Sequence, residues 1–164
     1  MTTSLGNIEI VITPNEGGGN NQAIGAIAFG GDLNTRQLDT MAAYVEQAGS
    51  GTGEFQMAIL QSESNTTARV VAVTDIVTTI TGGLFVLPLT SAINIQGGTI
   101  YYFAVYNQVN ASQLGAKIAG LNTVGDAPPI NFRVQNLTDG FAIGDIINTS
   151  DVSLQITPWL AAMR

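Results

Sequence analysis

Gly97-Gly98-Thr99-Ile100-Tyr101-Tyr102-Phe103-Ala104-Val105-Tyr106 decides how the rest of the chain is read. Two glycines mark a turn, and β-branched, aromatic and apolar residues then run without a break, a composition that suits a strand. Alternate side chains of a strand point to opposite faces. Ile100, Tyr102, Ala104 and Tyr106 therefore share one face, and Tyr101, Phe103 and Val105 the other. A strand with one face in water alternates apolar with polar residues, and this one is apolar on both. It needs cover twice. We expect Tyr101, Phe103 and Val105 to face a sandwich core, and Tyr102 and Tyr106 to face a neighbouring element or subunit. With Ile10 and Ile12 of an N-terminal strand, Tyr102 and Tyr106 are the residues assigned to an assembly interface. On that assignment, Tyr102→Ser loosens an oligomer more than it unfolds the domain.

Similar signals recur on both sides of this stretch. Ile8, Ile10 and Ile12 alternate with Glu9 and Val11 before Pro14, and a Gly/Asn-rich segment follows. Residues 1–22 read as an arm and linker, and 23–164 as one domain. Ala23 to Phe29 reads as a strand of small and apolar residues ending at Gly30-Gly31-Asp32. Phe55, Met57 and Ile59 alternate behind a loop with glycines at 49, 51 and 53. The run 69–81 is rich in Val and Ile, and Leu84-Phe85-Val86-Leu87 leads to Pro88, which ends a strand or lies at an edge because it has no N–H to give a ladder. The stretch 38–45 fits two periods. Leu38, Met41, Ala42 and Val45 recur at helical spacing with Asn34 as cap, while Leu38, Thr40, Ala42 and Tyr44 alternate as in a strand. Residues 113–121 hold one helical turn at most. Residues 137–148 read as a loop with Phe141, Ile143 and Ile146 tucked in, and Val152, Leu154 and Ile156 as a last strand closing at Pro158. Strands punctuated by Gly and Asn turns, without a repeat, define an all-β antiparallel β-sandwich.

Composition narrows the function classes. The 164 residues suffice for one domain with its own core. Only 10% are charged, against about 25% in average soluble proteins, so we expect part of the surface to be hidden in contacts with copies of the same chain. Net charge is −7, and the five basic residues are scattered, which excludes the concentrated basic footprint of a nucleic-acid binder. No apolar run approaches the roughly 20 residues of a membrane helix. Cysteine and histidine are absent, which removes Ser-His-Asp and Cys-His catalysis and the usual zinc sites. No secretory leader is visible at the N-terminus, so we expect a protein assembled inside a cell, as virion parts are, or one shown without its leader and found outside the cell or at its surface.

The order of features resembles the jelly-roll β-sandwich domains of bacteriophage tail appendages and related surface filaments. The resemblance runs through Leu38-Asp39-Thr40-Met41-Ala42-Ala43-Tyr44-Val45, Phe55 to Leu60, Phe85-Val86-Leu87-Pro88-Leu89, the strand after Gly97-Gly98, and Pro158-Trp159-Leu160-Ala161-Ala162-Met163-Arg164. It favours the strand reading of 38–45. It implies a non-enzymatic structural subunit that forms trimers or fibres with copies of itself. The alternative it implies is a module that binds cell-surface carbohydrate. The stretch 126–151 has no counterpart in the resemblance.

Candidate chemistry is sparse. The glycines at 49, 51 and 53 and at 17 to 19 lack the lysine of a phosphate-binding loop. Asp126, Asp139, Asp145 and Asp151 fall on loops where calcium is one reading and ordinary turn aspartates the other. Twelve acidic residues offer no selected pair for glycoside hydrolysis. Lys117 is the sole lysine, with Ser112 and Ser150 as conceivable partners. Tyr44, Tyr101, Tyr102, Tyr106 and Trp159 are candidate sugar-stacking platforms, though strand aromatics also serve cores and interfaces. Asn65, Asn110, Asn136 and Asn148 begin glycosylation triplets, which are read as unmodified without a leader. No catalytic residue, metal ligand or cofactor is assigned.

Overall fold

A computed structural model describes residues 10–12 (backbone only), 23–28, 36–118, 127–135, 137–153 and 155–164. The first eight strands are β1 (Ile10–Ile12), β2 (Ala23–Ala28), β3 (Arg36–Gln47), β4 (Phe55–Ser62), β5 (Thr67–Val73), β6 (Gly83–Ile95), β7 (Tyr101–Asn107) and β8 (Gln113–Ile118). Their antiparallel pairings are nested. β4 pairs with β5, β3 with β6, β2 with β7 and β1 with β8. The chain is thus one long hairpin with its tip at the polar turn before β5. It is rolled so that successive rungs fall in alternate sheets, which is the jelly roll. The contacts of β3 with β8 and of β4 with β7 close the two sheets, A (β1, β8, β3, β6) and B (β2, β7, β4, β5).

Between the sheets lies the main core. Sheet A contributes Met41, Ala43, Val45 and Leu114, and sheet B contributes Ile24, Phe55, Met57, Ile59, Tyr101 and Val105. A side chain of this size contributes about 1.5–3 kcal/mol when fully buried, so alternation on each strand dictates which face turns inward. That preference makes 36–47 a strand: Met41, Ala43 and Val45 point into the core from every second position. The possible helical turn at 113–121 is replaced, in its described part, by β8. Leu114 and Ala116 alternate into the core, and the backbone pairs with its neighbours. Pro88 does not end its strand. β6 continues to Ile95 and pairs with β3 on sheet A's rim, with the register shifting beside the proline and a single bridge from Leu89 to Thr74.

Four more strands follow: β9 (Asn131–Val134), β10 (Ile146–Asn148), β11 (Ile156–Pro158) and β12 (Leu160–Met163). β9 extends sheet B beside β2, and β10 extends it beside β5. β11 and β12 fill a fork in sheet A. β3 and β8 are paired at Val45–Leu114 and then diverge. The last segment runs antiparallel to β8, turns at Trp159, and runs antiparallel to β3. At the corner the Trp159 N–H donates to the Gly115 carbonyl (2.9 Å), and the Tyr44 N–H donates to the Trp159 carbonyl (3.4 Å). The extended backbone therefore continues past Pro158. Of the expected strand at 152–156, Val152 and Ser153 lie outside any strand, and Leu154 lies outside the described residues. One polar group inside this framework lacks a partner among the described residues: the hydroxyl of fully buried Thr149. A buried hydroxyl that makes no hydrogen bond is a net cost. Thr149→Val is expected to raise stability by about 1 kcal/mol, seen as a higher urea midpoint with an unchanged slope.

Candidate functional site

The outward face of sheet B carries the second apolar side of the opening strand. Tyr102, Ala104 and Tyr106 stand there beside Ala58 and Leu60 of β4 and Val70 of β5. Their cover is the chain itself. Between β9 and β10, residues 137–145 cross the face as a strap, and its Phe141 joins Phe132 of β9 and Ile147 of β10 in the cluster over this face. Polar pins fix its course. The Tyr106 hydroxyl donates to the Thr138 carbonyl of the strap (3.0 Å), while the Tyr102 hydroxyl donates to the Pro129 carbonyl just ahead of β9 (2.9 Å). The buried Gln56 amide donates to the carbonyls of Thr74 and Phe141 and accepts from the Phe141 N–H (2.7 Å), as a backbone strand would. Gly25 makes room for the Phe132 ring, which stands edge-on to Tyr102 at 5.2 Å between centroids.

Tyr102 and Tyr106, assigned to an assembly interface from the sequence, are therefore 0% and 2% exposed within one chain. They offer no surface to another copy. The neighbouring element that covers them comes from 126–151, the stretch without a counterpart in the resemblance. Within it, Phe141 is buried as expected, but Ile143 and Ile146 are exposed and Ile147 is the one tucked in. Ile10 and Ile12 sit opposite Ala116 and Leu114 at the β1–β8 edge of sheet A. Burial pushes the Tyr102 hydroxyl up to about 12, with an opposing pull from Ser62, and burial together with Glu54 and Asp139 raises Tyr106 as well. An unfolded tyrosine ionises near 10. The contribution of Tyr102 is thus complete below pH 10 and is lost as pH rises toward 12, amounting to about 3 kcal/mol. Urea midpoints measured across that window are expected to fall, and less steeply in Tyr102→Phe.

No such strap crosses the outward face of sheet A among the described residues. Register places three columns of side chains side by side. Tyr44 of β3 lies opposite Leu84 of β6, Ala42 opposite Val86, and Thr40 opposite Pro88. On the other flank of β3, Ala161 lies opposite Ala42 and Met163 opposite Thr40, while Trp159 meets Tyr44 edge-on at 6.5 Å. The inward partners of these strands, Phe85, Leu87, Leu160 and Ala162, pack on the core. The result is a grid three strands wide and three outward residues long without a charged residue in it. Leu84, Val86 and Met163 are 50%, 43% and 37% exposed. The middle is low, with Ala42 fully buried among larger neighbours. The Thr40 hydroxyl is bonded to Asp39 (2.7 Å). Asp39 and Glu46, both exposed, bound the grid along β3. The sequence carries a trace of this face, since Leu84-x-Val86-x-Pro88 and Trp159-x-Ala161-x-Met163 are apolar at every outward position. Only the pairing of β6, β3 and β12 joins them.

The remaining candidates resolve into structural roles. Gly49 and Gly53 have positive φ and pack against the backbone at Asn110 and Gln108, so their loop meets carbonyl oxygens, which do not hold a phosphate. Asp145 accepts from the Ala142 N–H, and Asp139 from the Thr138 hydroxyl. Asp151 accepts from Arg133 (3.0 Å) and from Ser153. Burial raises the Asp151 carboxyl, but the bonds from Ser153 and Arg133 outweigh it and hold the group below its usual value. Asp126 and Asn136 lie outside the described residues. No group of three or more acidic side chains that could hold a metal ion occurs among the described residues. The Ser112 hydroxyl is buried and donates to Val109, and that of Ser150 donates to Asn148. There is no helix among the described residues long and apolar enough to cross a membrane.

The fold is a jelly-roll β-sandwich in which, among the described residues, a strap crosses the outward face of sheet B and none crosses that of sheet A. Compared with models of known families, with curated proteins and with solved structures, the chain matches none.

Proposed function

We propose that this protein is a non-enzymatic structural subunit that self-assembles, in a virion appendage or an extracellular filament. One observation carries the reading: the chain covers the apolar outer face of sheet B with its own strap, while Leu84, Val86 and Met163 on the uncharged outer face of sheet A are exposed. Exposed apolar surface of this kind marks a contact with another macromolecule. The low charge of the chain and its resemblance to phage-appendage and filament domains agree with a partner of the same kind. Light scattering over a dilution series tests the reading. Concentration-dependent association is expected, and a strict monomer from micromolar to millimolar concentration would sink it.

A carbohydrate-binding role is favoured by one feature, the half-buried Tyr44–Trp159 pair at one end of the grid. The other aromatic candidates, Tyr101, Tyr102 and Tyr106, are buried. Binding on a glycan array that is lost in Trp159→Ala supports that role, and an array without binding removes it.

A further inference from the structure

Resting on the self-assembly reading, we infer that residues 156–163, which form β11, the Trp159 corner and β12, are an exchangeable hook, and that in the assembly the hook of one copy fills the fork between β3 and β8 of another. The contact it makes there is the one it makes within a single chain.

The hook is a separate piece of the roll. Among the described residues its strands have one partner each, β8 for β11 and β3 for β12. β3 and β8 also pair with each other at Val45–Leu114, and with β6 and β1 on their far flanks. The hook adds Ile156, Leu160 and Ala162 to the rim of the core, and none of the three is fully buried. The eight nested strands therefore hold sheets A and B together without it. Its departure leaves two bare strand edges, at residues 40–43 of β3 and 116–118 of β8. Bare edges recruit an extended strand. The corner of the fork needs an N–H for the Gly115 carbonyl and a carbonyl for the Tyr44 N–H, and Trp159 supplies both. A second copy's hook carries the same residues in the same register, so it restores every one of these bonds.

A strained joint favours the exchange. Upstream, Asp151 is fixed to β9 of sheet B: its carbonyl accepts from the Arg133 N–H (2.8 Å), and its carboxylate accepts from the Arg133 guanidinium (3.0 Å). Downstream, Ile156 is already paired with β8 in sheet A. Gln155, immediately before β11, has φ of +51°, and its N–H donates to the Val152 carbonyl at 3.3 Å. A residue with a Cβ is unfavourable in this left-handed region. Short hinges under strain invite domain swapping, a low-cost route from monomer to assembly. A hook that extends to a neighbour lets Gln155 relax, while the bonds of the hook in its fork are the same in both forms. The balance between the two forms thus rests on the hinge and on concentration. Withdrawing Ile156, Leu160 and Ala162 from the core is slow, so the choice is made as the chains fold.

The chain has no cysteine, so an introduced disulfide reports the exchange directly. Met163 lies opposite Thr40 across the β12–β3 pair, and opposed residues of antiparallel strands are close enough for a disulfide. Full chains carrying Thr40→Cys or Met163→Cys are co-expressed, so that hooks and forks meet during folding, then purified together, concentrated and oxidised. Linkage between the two variants is expected to predominate over linkage of either with itself, because a hook seated in the other copy's fork brings the two thiols together. If a variant fails to fold, Ala42→Cys with Ala161→Cys, also directly opposed, takes its place. Added to both chains, Gln155→Gly relaxes the closed joint and is expected to weaken the exchange roughly tenfold per hinge. Gln155→Pro cannot take a positive φ and is expected to strengthen it. Mixed linkage no more frequent than self-linkage, in protein that light scattering shows to be associated, overturns the exchange and leaves the self-assembly reading intact. Mixed linkage that Gln155→Gly leaves unchanged overturns the role of the joint. Protein that stays monomeric at every concentration overturns the underlying reading as well.

Discussion

Tyr102→Ser is expected to unfold the domain at moderate urea, losing about 3–5 kcal/mol, without acting first on any assembly. The ring is fully buried beneath the strap and packs edge-on to Phe132. Replacing it leaves a cavity at the centre of the second core, where Leu60, Ala104 and Phe132 lose contacts together. It also removes the hydroxyl that binds the Pro129 carbonyl, just ahead of β9. Tyr102→Phe separates the two terms. It keeps the ring and loses only the hydrogen bond, so it should cost about 1 kcal/mol. The measurement is urea unfolding followed by tryptophan fluorescence and circular dichroism. A Tyr102→Ser protein within about 1 kcal/mol of wild type would mean that the strap does not seal this face.

Gly53→Ala is the second large effect, expected to cost roughly 2–4 kcal/mol from backbone strain and forced displacement. Gly53 has φ of +106°, a conformation that residues with a Cβ rarely adopt. A Cβ there would overlap the Gln108 carbonyl oxygen, which is backbone and cannot rotate aside. That carbonyl belongs to the turn between β7 and β8, and the Gln108 N–H donates to the Glu54 carbonyl at 2.7 Å. Pushing the two segments apart breaks the contact that seats the 49–53 loop on the β7–β8 turn. Gly51 is the control. Its φ is also positive, but nothing lies near a Cβ there, so Gly51→Ala should cost only the conformational part. If the two variants unfold at the same urea midpoint, the steric half of the argument fails.

Both predictions turn on features with different degrees of legibility in the sequence. The strand after Gly97-Gly98 announced itself, and the division of its side chains between two faces followed from alternation alone. Tyr101 and Val105 are in the inter-sheet core, and Tyr102 and Tyr106 on the opposite side. What alternation does not contain is the identity of the cover. The candidate interface named Tyr102 and Tyr106 because the sequence shows an apolar face without showing what lies on it. Phe132 lies in the run Ile130 to Gln135, which reads as a short strand and is one (β9), while Phe141 and Ile147 lie in the loop-like stretch 137–148; nothing local marks the three as that cover.

Sequence by itself determined the class: two-faced apolar runs separated by Gly and Asn turns, too short and too charge-poor for anything but a layered β-protein, with no histidine or cysteine and no basic patch. Those are local properties, fixed by strand periodicity and side-chain chemistry. Tertiary structure alone decided which apolar side chains stay exposed. Leu84, Val86, Ala42, Ala161 and Met163 are far apart in the chain, and each looks like ordinary core when read on its own strand. They become one face because β6 and β12 pair on opposite flanks of β3. The hydrogen-bond register of distant strands sets that neighbourhood, and a residue's own sequence neighbours carry no record of it.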